Sequence, residues 1–159
     1  MSTPTFSRRI FLSTSAAALG LAAFPQHLLA QTLVLSEDEW RARLTPNQFS
    51  ILREGMTEPE EFSPLHLESR TGLYHCVGCA TAIYSSQDKY ASGTGWPAFT
   101  KSIPGAITTA DDTSNPFFVQ RAVSCATCGG HQGHIFDDGP EPLGDRHCIN
   151  GTTLDFRPA

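Results

Sequence analysis

At 159 residues with a formal net charge of −5, the chain has room for one domain with a modest core. Its acidic balance makes it a poor partner for nucleic acid or anionic lipid and excludes those classes of binder. Beyond the first thirty residues, no internal repeat, heptad pattern or low-complexity segment divides it.

The N-terminus reads as a twin-arginine export signal. Ser7-Arg8-Arg9-Ile10-Phe11-Leu12 precedes an apolar run to Phe24, and Pro25-Gln26-His27-Leu28-Leu29-Ala30 closes it with a small residue. The run is softened by Ser13, Thr14 and Ser15 and is shorter than the roughly 20 residues that span a bilayer, which disfavours an uncleaved anchor. Cleavage near Ala30 leaves residues 31–159 as the domain. It also removes Arg8 and Arg9, so nine basic residues face 16 acidic ones, a net −7. The expected destination is the periplasm, reached by a folded chain that has taken up any metal in the reducing cytoplasm.

Ser36-Glu37-Asp38-Glu39 is a capping-box pattern leading into a short helix through Leu44. Pro46 suits the first turn of a second helix, Asn47 to Glu54, with Phe49, Ile51 and Leu52 facing a core and Gly55 ending it. After Pro64 helical signals stop. Tyr74–Cys76, Ala82–Tyr84, Phe117–Val123 and Thr152–Phe156 read as strands, with Gly and Pro dense between them. The expected fold is therefore mainly β, with small helices at its N-terminal side.

Five cysteines divide into Cys76/Cys79, Cys125/Cys128 and a solitary Cys148. Two C-x-x-C turns can present four thiolates tetrahedrally to one zinc ion, and the long interval between them makes any such site a staple between two distant hairpins. Structural disulfides or redox-active dithiols are the competing readings. The odd Cys148 points to a free reactive thiol or an intermolecular bond, although a lone cysteine is also commonly a buried small hydrophobe.

Polar chemistry gathers between His131 and Asn150. If Arg146-His147-Cys148-Ile149-Asn150 is a strand, Arg146, Cys148 and Asn150 share one face while His147 and Ile149 share the other. Arg146 and Asn150 then flank the sulfur, and nearby positive charge favours the attacking thiolate. His131 and His134 could serve as acid/base groups or as metal ligands, but four cysteines already satisfy one zinc. Asp137, Asp138 and Asp145 read as turn formers and solvated charge, available to pair with Arg146.

Together, Cys76-Val77-Gly78-Cys79, Ser92-Gly93-Thr94-Gly95-Trp96-Pro97-Ala98-Phe99, Cys125 through Phe136, Asp138-Gly139-Pro140 and Arg146 through Asn150 resemble the peptide methionine sulfoxide reductase B family. The resemblance runs from about Leu44 to Phe156. It implies two antiparallel β-sheets with short helices, and a zinc ion held by Cys76, Cys79, Cys125 and Cys128. It also implies reduction of methionine-R-sulfoxide, mainly within oxidised polypeptides; a monomer is the separate expectation for the chain. Cys148 matches the family's nucleophile, His131 and His134 its acid/base and orienting histidines, Arg146 and Asn150 the pair beside the nucleophile, and Trp96 the aromatic wall that receives the substrate methyl.

The chain departs from this pattern where many members carry a resolving cysteine, because it has Thr94 there. An external thiol, thioredoxin-like or small, is then expected to recycle a Cys148 sulfenic acid. His147 stands where an aromatic residue is usual and Gly151 where serine is usual. Two other functions compete: a zinc-stapled binding module with an inert Cys148, and a thiol oxidoreductase working through its C-x-x-C pairs.

Overall fold

A computed structural model of the chain describes residues 33–159, so the expected export signal, residues 1–30, lies outside the described residues. Helix α1 (Glu37–Arg43) starts where sequence pattern dictates: the Ser36 hydroxyl accepts from the Glu39 N–H, and the Ser36 N–H donates to the Glu39 carboxylate at 2.7 Å. Helix α2 (Pro46–Glu54) repeats the device with Thr45 and Gln48, and Gly55 stops it at φ 74°. The buried faces of both helices pack onto the β core through Trp40, Phe49 and Leu52. Among the described residues, no helix is long and apolar enough to cross a membrane.

Two antiparallel sheets follow. The first has the order β2-β1-β9, with β1 Gly72–Cys76, β2 Ala82–Ser85 and β9 Leu154–Pro158. The second has the order β3-β4-β8-β7-β6-β5. Its strands are β3 Lys89–Tyr90, β4 Ala98–Phe99, β5 Ile107–Asp112, β6 Gln120–Cys125, β7 His131–Phe136 and β8 Arg146–Ile149. Tyr74, Ile83, Tyr84, Phe99, Val123 and Ile149 are fully buried and form the centre of the core. Phe99 stacks on Tyr84 at 4.3 Å between centroids and meets Tyr74 edge-on at 5.0 Å, tying the two sheets together.

The mainly β architecture with two antiparallel sheets and N-terminal helices agrees with the expectation, while strand limits differ from it. Phe117, Phe118 and Val119 are outside β6 and exposed. The β5–β6 pairing ends at Asp112 opposite Gln120, and the Phe117 N–H donates to Asn115 Oδ1, so these residues belong to a turn with no strand to pair. Thr152 and Thr153 fall in a 3-10 turn before β9. Strand β5 carries no apolar alternation because it is the sheet's exposed edge. Strand β7 was hidden by its polar and glycine content.

Replacing Phe99 with Ala should lower unfolding stability by about 3–5 kcal/mol, through lost burial and a cavity between the sheets. Urea titration of the metal-loaded protein checks this.

Candidate active site

The four cysteines of the C-x-x-C pairs are brought together at the ends of β1 and β6 and in the turns that follow. Their sulfurs all lie within 4.8 Å of one another, with Cys76–Cys128 at 3.7 Å and Cys79–Cys125 at 3.5 Å. Disulfide sulfurs lie about 2.05 Å apart. All four thiols are free, and both close approaches run between hairpins rather than within a pair. Tetrahedral zinc with Zn–S near 2.3 Å places its sulfurs about 3.8 Å apart, so this set can hold such an ion with no open coordination position. Gln132, fully buried, donates from Nε2 to Cys76 Sγ at 3.4 Å and steadies one ligand from outside.

On the other side of β7 and β8 lies a cavity of about 170 Å³, lined by Thr57, Trp96, Gln120, Gly133, His134, Phe136, Cys148 and Asn150. Cross-strand register builds its floor: Cys148 on β8 stands directly opposite His134 on β7 and Ala98 on β4. Alternation along β8 leaves Arg146 and Cys148 half-exposed and buries His147 and Ile149 on the reverse face. There the His147 Nδ1 pairs with the Tyr84 hydroxyl at 3.1 Å, away from the sulfur. Gly133 has φ 152°, and a Cβ there would collide with the carbonyl oxygen of Cys148. Only glycine permits that approach.

Each wall of the cavity is fastened. The Trp96 indole N–H donates to the Glu58 carbonyl at 3.1 Å. Asn150 Oδ1 accepts from the Glu58 N–H at 2.9 Å, and its Nδ2 donates to the Gln132 carbonyl at 3.0 Å. The Asn150 amide is thus engaged with backbone, which makes it the clamp that holds the 57–59 segment beside the sulfur. The buried Glu58 carboxylate accepts from the Gly151 and Thr152 N–H groups at 2.6 and 2.8 Å. A side chain at Gly151 would strike Ser63, whose hydroxymethyl already fills that space.

His134 Nε2 lies 3.0 Å from Asp112 Oδ2, and this contact holds the Asp112 carboxyl well below the usual carboxylate range. An ionised Asp112 requires His134 to carry its proton on Nε2. His131 lies beside His134, 5.1 Å between ring centroids, but does not line the cavity. Its Nε2 is buried without a partner, and burial pushes its pKa down to about 4, with His134 contributing, so it is neutral near pH 7. Arg146 makes a two-pronged bond to Asp138, 2.7 and 2.9 Å, and lies 4.4 Å over the Phe136 ring. Asp138, read from sequence as solvated charge, therefore aims the guanidinium. Burial raises the Cys148 pKa above that of an ordinary thiol, while Arg146 and the Thr94 hydroxyl pull the other way without prevailing. Burial therefore outweighs the charged neighbours at this sulfur.

A SelR domain match covers residues 44–158. The chain belongs to the methionine sulfoxide reductase B family. It is 42% identical over 124 residues to the peptide methionine sulfoxide reductase MsrB of Agrobacterium fabrum, covering 77% of this chain and 91% of that one. It is 41% identical over 143 residues to the mitochondrial methionine-R-sulfoxide reductase B2 of Rattus norvegicus, covering 83% and 80%. The chloroplastic reductase B1 of Arabidopsis thaliana is 45% identical over 121 residues, 76% of this chain but 59% of the plant protein. The Mis18 Yippee-like domain aligns at a TM-score of 0.46 and 13% identity, covering 57% of this chain and 98% of that one, too weakly to bear on function. As a methionine sulfoxide reductase B, the chain is an oxidoreductase acting on methionine sulfoxide. Within it, the residues that sequence reading missed are Asp112, Glu58 and Gln132. Each acts through a partner distant in sequence.

Alkylation of Cys148 by iodoacetamide, followed against pH, should show its inflection above the ~8.5 of a free cysteine. Arg146→Gln should move that inflection further up, since removing the positive charge leaves burial less opposed.

Proposed function

We propose that the protein reduces the R form of peptide-bound methionine sulfoxide through a Cys148 sulfenic acid, using an external thiol as electron donor. The observation that carries this reading is a single small cavity presenting a sulfur, an imidazole fixed by a carboxylate, and an indole face. The indole face gives the substrate methyl an apolar seat. His134 stands opposite Cys148, where the ring nitrogen not engaged by Asp112 can take the Cys148 proton and pass it to the sulfoxide oxygen as the sulfur attacks.

The balance is simple. Cys148–SH and R–S(O)–CH₃ give Cys148–SOH and R–S–CH₃: the oxygen passes from substrate sulfur to Cys148, which is oxidised as the substrate is reduced. A first external thiol then releases water and forms a mixed disulfide with Cys148. A second thiol displaces Cys148–SH and leaves as the external disulfide. Because burial keeps the resting sulfur protonated, its proton departs as attack proceeds, with Arg146 stabilising the thiolate that forms.

Zinc is the ion that four thiolates at this spacing suit best, and its contribution is structural. With those cysteines committed to metal and Thr94 in place of a resolving cysteine, Cys148 has no intramolecular partner to close a disulfide. Thioredoxin-like proteins and small thiols are the donor classes that fit. Maturation by twin-arginine export to the periplasm, as a monomeric domain of residues 31–159, fits a chain that acquires its metal before crossing the membrane.

Metal release by a thiol-reactive mercurial should yield one equivalent of zinc per chain and abolish the cooperative unfolding transition. Structural zinc contributes roughly 10 kcal/mol or more, comparable with the ~5–15 kcal/mol stability of a whole domain.

With dithiothreitol as donor, the mature protein should reduce an R-methionine-sulfoxide peptide and leave the S peptide untouched, and Cys148→Ser should abolish turnover. Equal reduction of both diastereomers, or activity surviving in Cys148→Ser, would sink the reading.

A further inference from the structure

The cavity over Cys148, about 170 Å³, can accept a side chain but not the polypeptide that carries it, so flanking residues of a peptide substrate must lie on the rim. Two of its lining residues, Gln120 and Thr57, continue directly into exposed apolar chain. On the Gln120 side, Phe117, Phe118 and Val119 are 90, 54 and 61% exposed, three consecutive apolar residues at a hairpin tip. On the Thr57 side, Met56 is 58% and Phe62 54% exposed. With Ile51 and Pro59 they line a second, largely apolar groove of about 420 Å³ that shares Thr57 with the cavity.

The hairpin tip is anchored to the site itself. Asp112 Oδ1 accepts from the Ser114 N–H at 2.9 Å, while its Oδ2 takes the bond from His134. Asn115 Oδ1 accepts from the Phe117 N–H at 2.9 Å, closing the turn from which the aromatic rings project. One carboxylate therefore fixes both the imidazole and the base of an apolar tip. Scattered exposed apolar residues need no explanation, but a contiguous set joined to a cavity mouth marks a binding surface.

From this arrangement we infer that Phe117–Val119 and the Met56/Phe62 groove form an extended apolar rim that receives the residues flanking the oxidised methionine. The favoured substrates are peptides whose oxidised methionine sits among apolar neighbours, the company methionine ordinarily keeps in a protein core. The inference rests on the reading above that the substrate is peptide-bound.

The test compares kcat/KM of the zinc-loaded protein for three R-sulfoxide substrates: N-acetyl-methionine sulfoxide, a pentapeptide with Leu and Val around the sulfoxide, and one with Ser and Gly there. The Leu/Val peptide should be preferred over the Ser/Gly peptide by about tenfold, on the scale of burying apolar side chains against the rim. The double substitution Phe117→Ser/Phe118→Ser should bring that ratio to within about twofold through KM, with N-acetyl-methionine sulfoxide turned over as before. Met56→Ser/Phe62→Ser should reduce the ratio from the other side. Both pairs lie in solvent, so matching unfolding midpoints show that the fold is intact. Equal rates for the two peptides, or a preference that survives both double substitutions, overturns the rim while leaving the reductase reading in place. No turnover of any substrate by the wild-type chain overturns both.

Discussion

The convergence of two hairpins on one four-cysteine cluster is the constraint on which the molecule depends. Cys76 ends the central strand of the three-stranded sheet and Cys125 ends an interior strand of the six-stranded one, so the cluster joins the two sheets at the ends of those strands. Gln132 carries that constraint towards the chemistry. Its amide touches Cys76 and the Thr153 hydroxyl, and its carbonyl accepts from both the backbone and the side chain of Asn150. A domain this small buries a limited core, and a metal held by these four cysteines would supply cohesion where apolar area cannot.

The catalytic side is built by a different economy of parts. Glu58 belongs to a segment without regular structure, yet its carbonyl, N–H and carboxylate respectively hold Trp96, Asn150 and the turn after β8. Loops can carry function when a few buried polar groups give them the definition that a sheet gives its strands. The floor needs no such help, because the antiparallel ladder sets Cys148 against His134 by register alone.

What the amino-acid sequence revealed follows the range of the interactions involved. The Ser36–Glu39 capping box, the glycine stop at Gly55 and the two C-x-x-C turns are local, so spacing was enough to locate them, whereas the Thr45–Gln48 box emerged only with the fold. The two faces of β8 followed from alternation. Asp112 and His134 are 22 residues apart and Glu58 and Asn150 are 92 apart, and nothing in either neighbourhood announces its partner. The Phe117–Val119 run misled because β propensity describes a residue's fit to a sheet face and cannot say that the sheet has already ended. Charge near Cys148 was visible in sequence, but the burial that outweighs it is a property of the folded cavity.

The placement of Cys148 also sets the rhythm of the molecule's work. Its sulfur lies at the bottom of the same small opening that admits the sulfoxide, and none of the other four cysteines is free to visit it while they hold a metal. On a sulfenic acid pathway, repaired methionine must vacate the opening before an electron donor can enter. The two visitors take turns at one doorway, and an abundance of either can keep the other waiting. Throughput then belongs as much to the surrounding thiol supply as to the protein, which acts as a relay with a single berth.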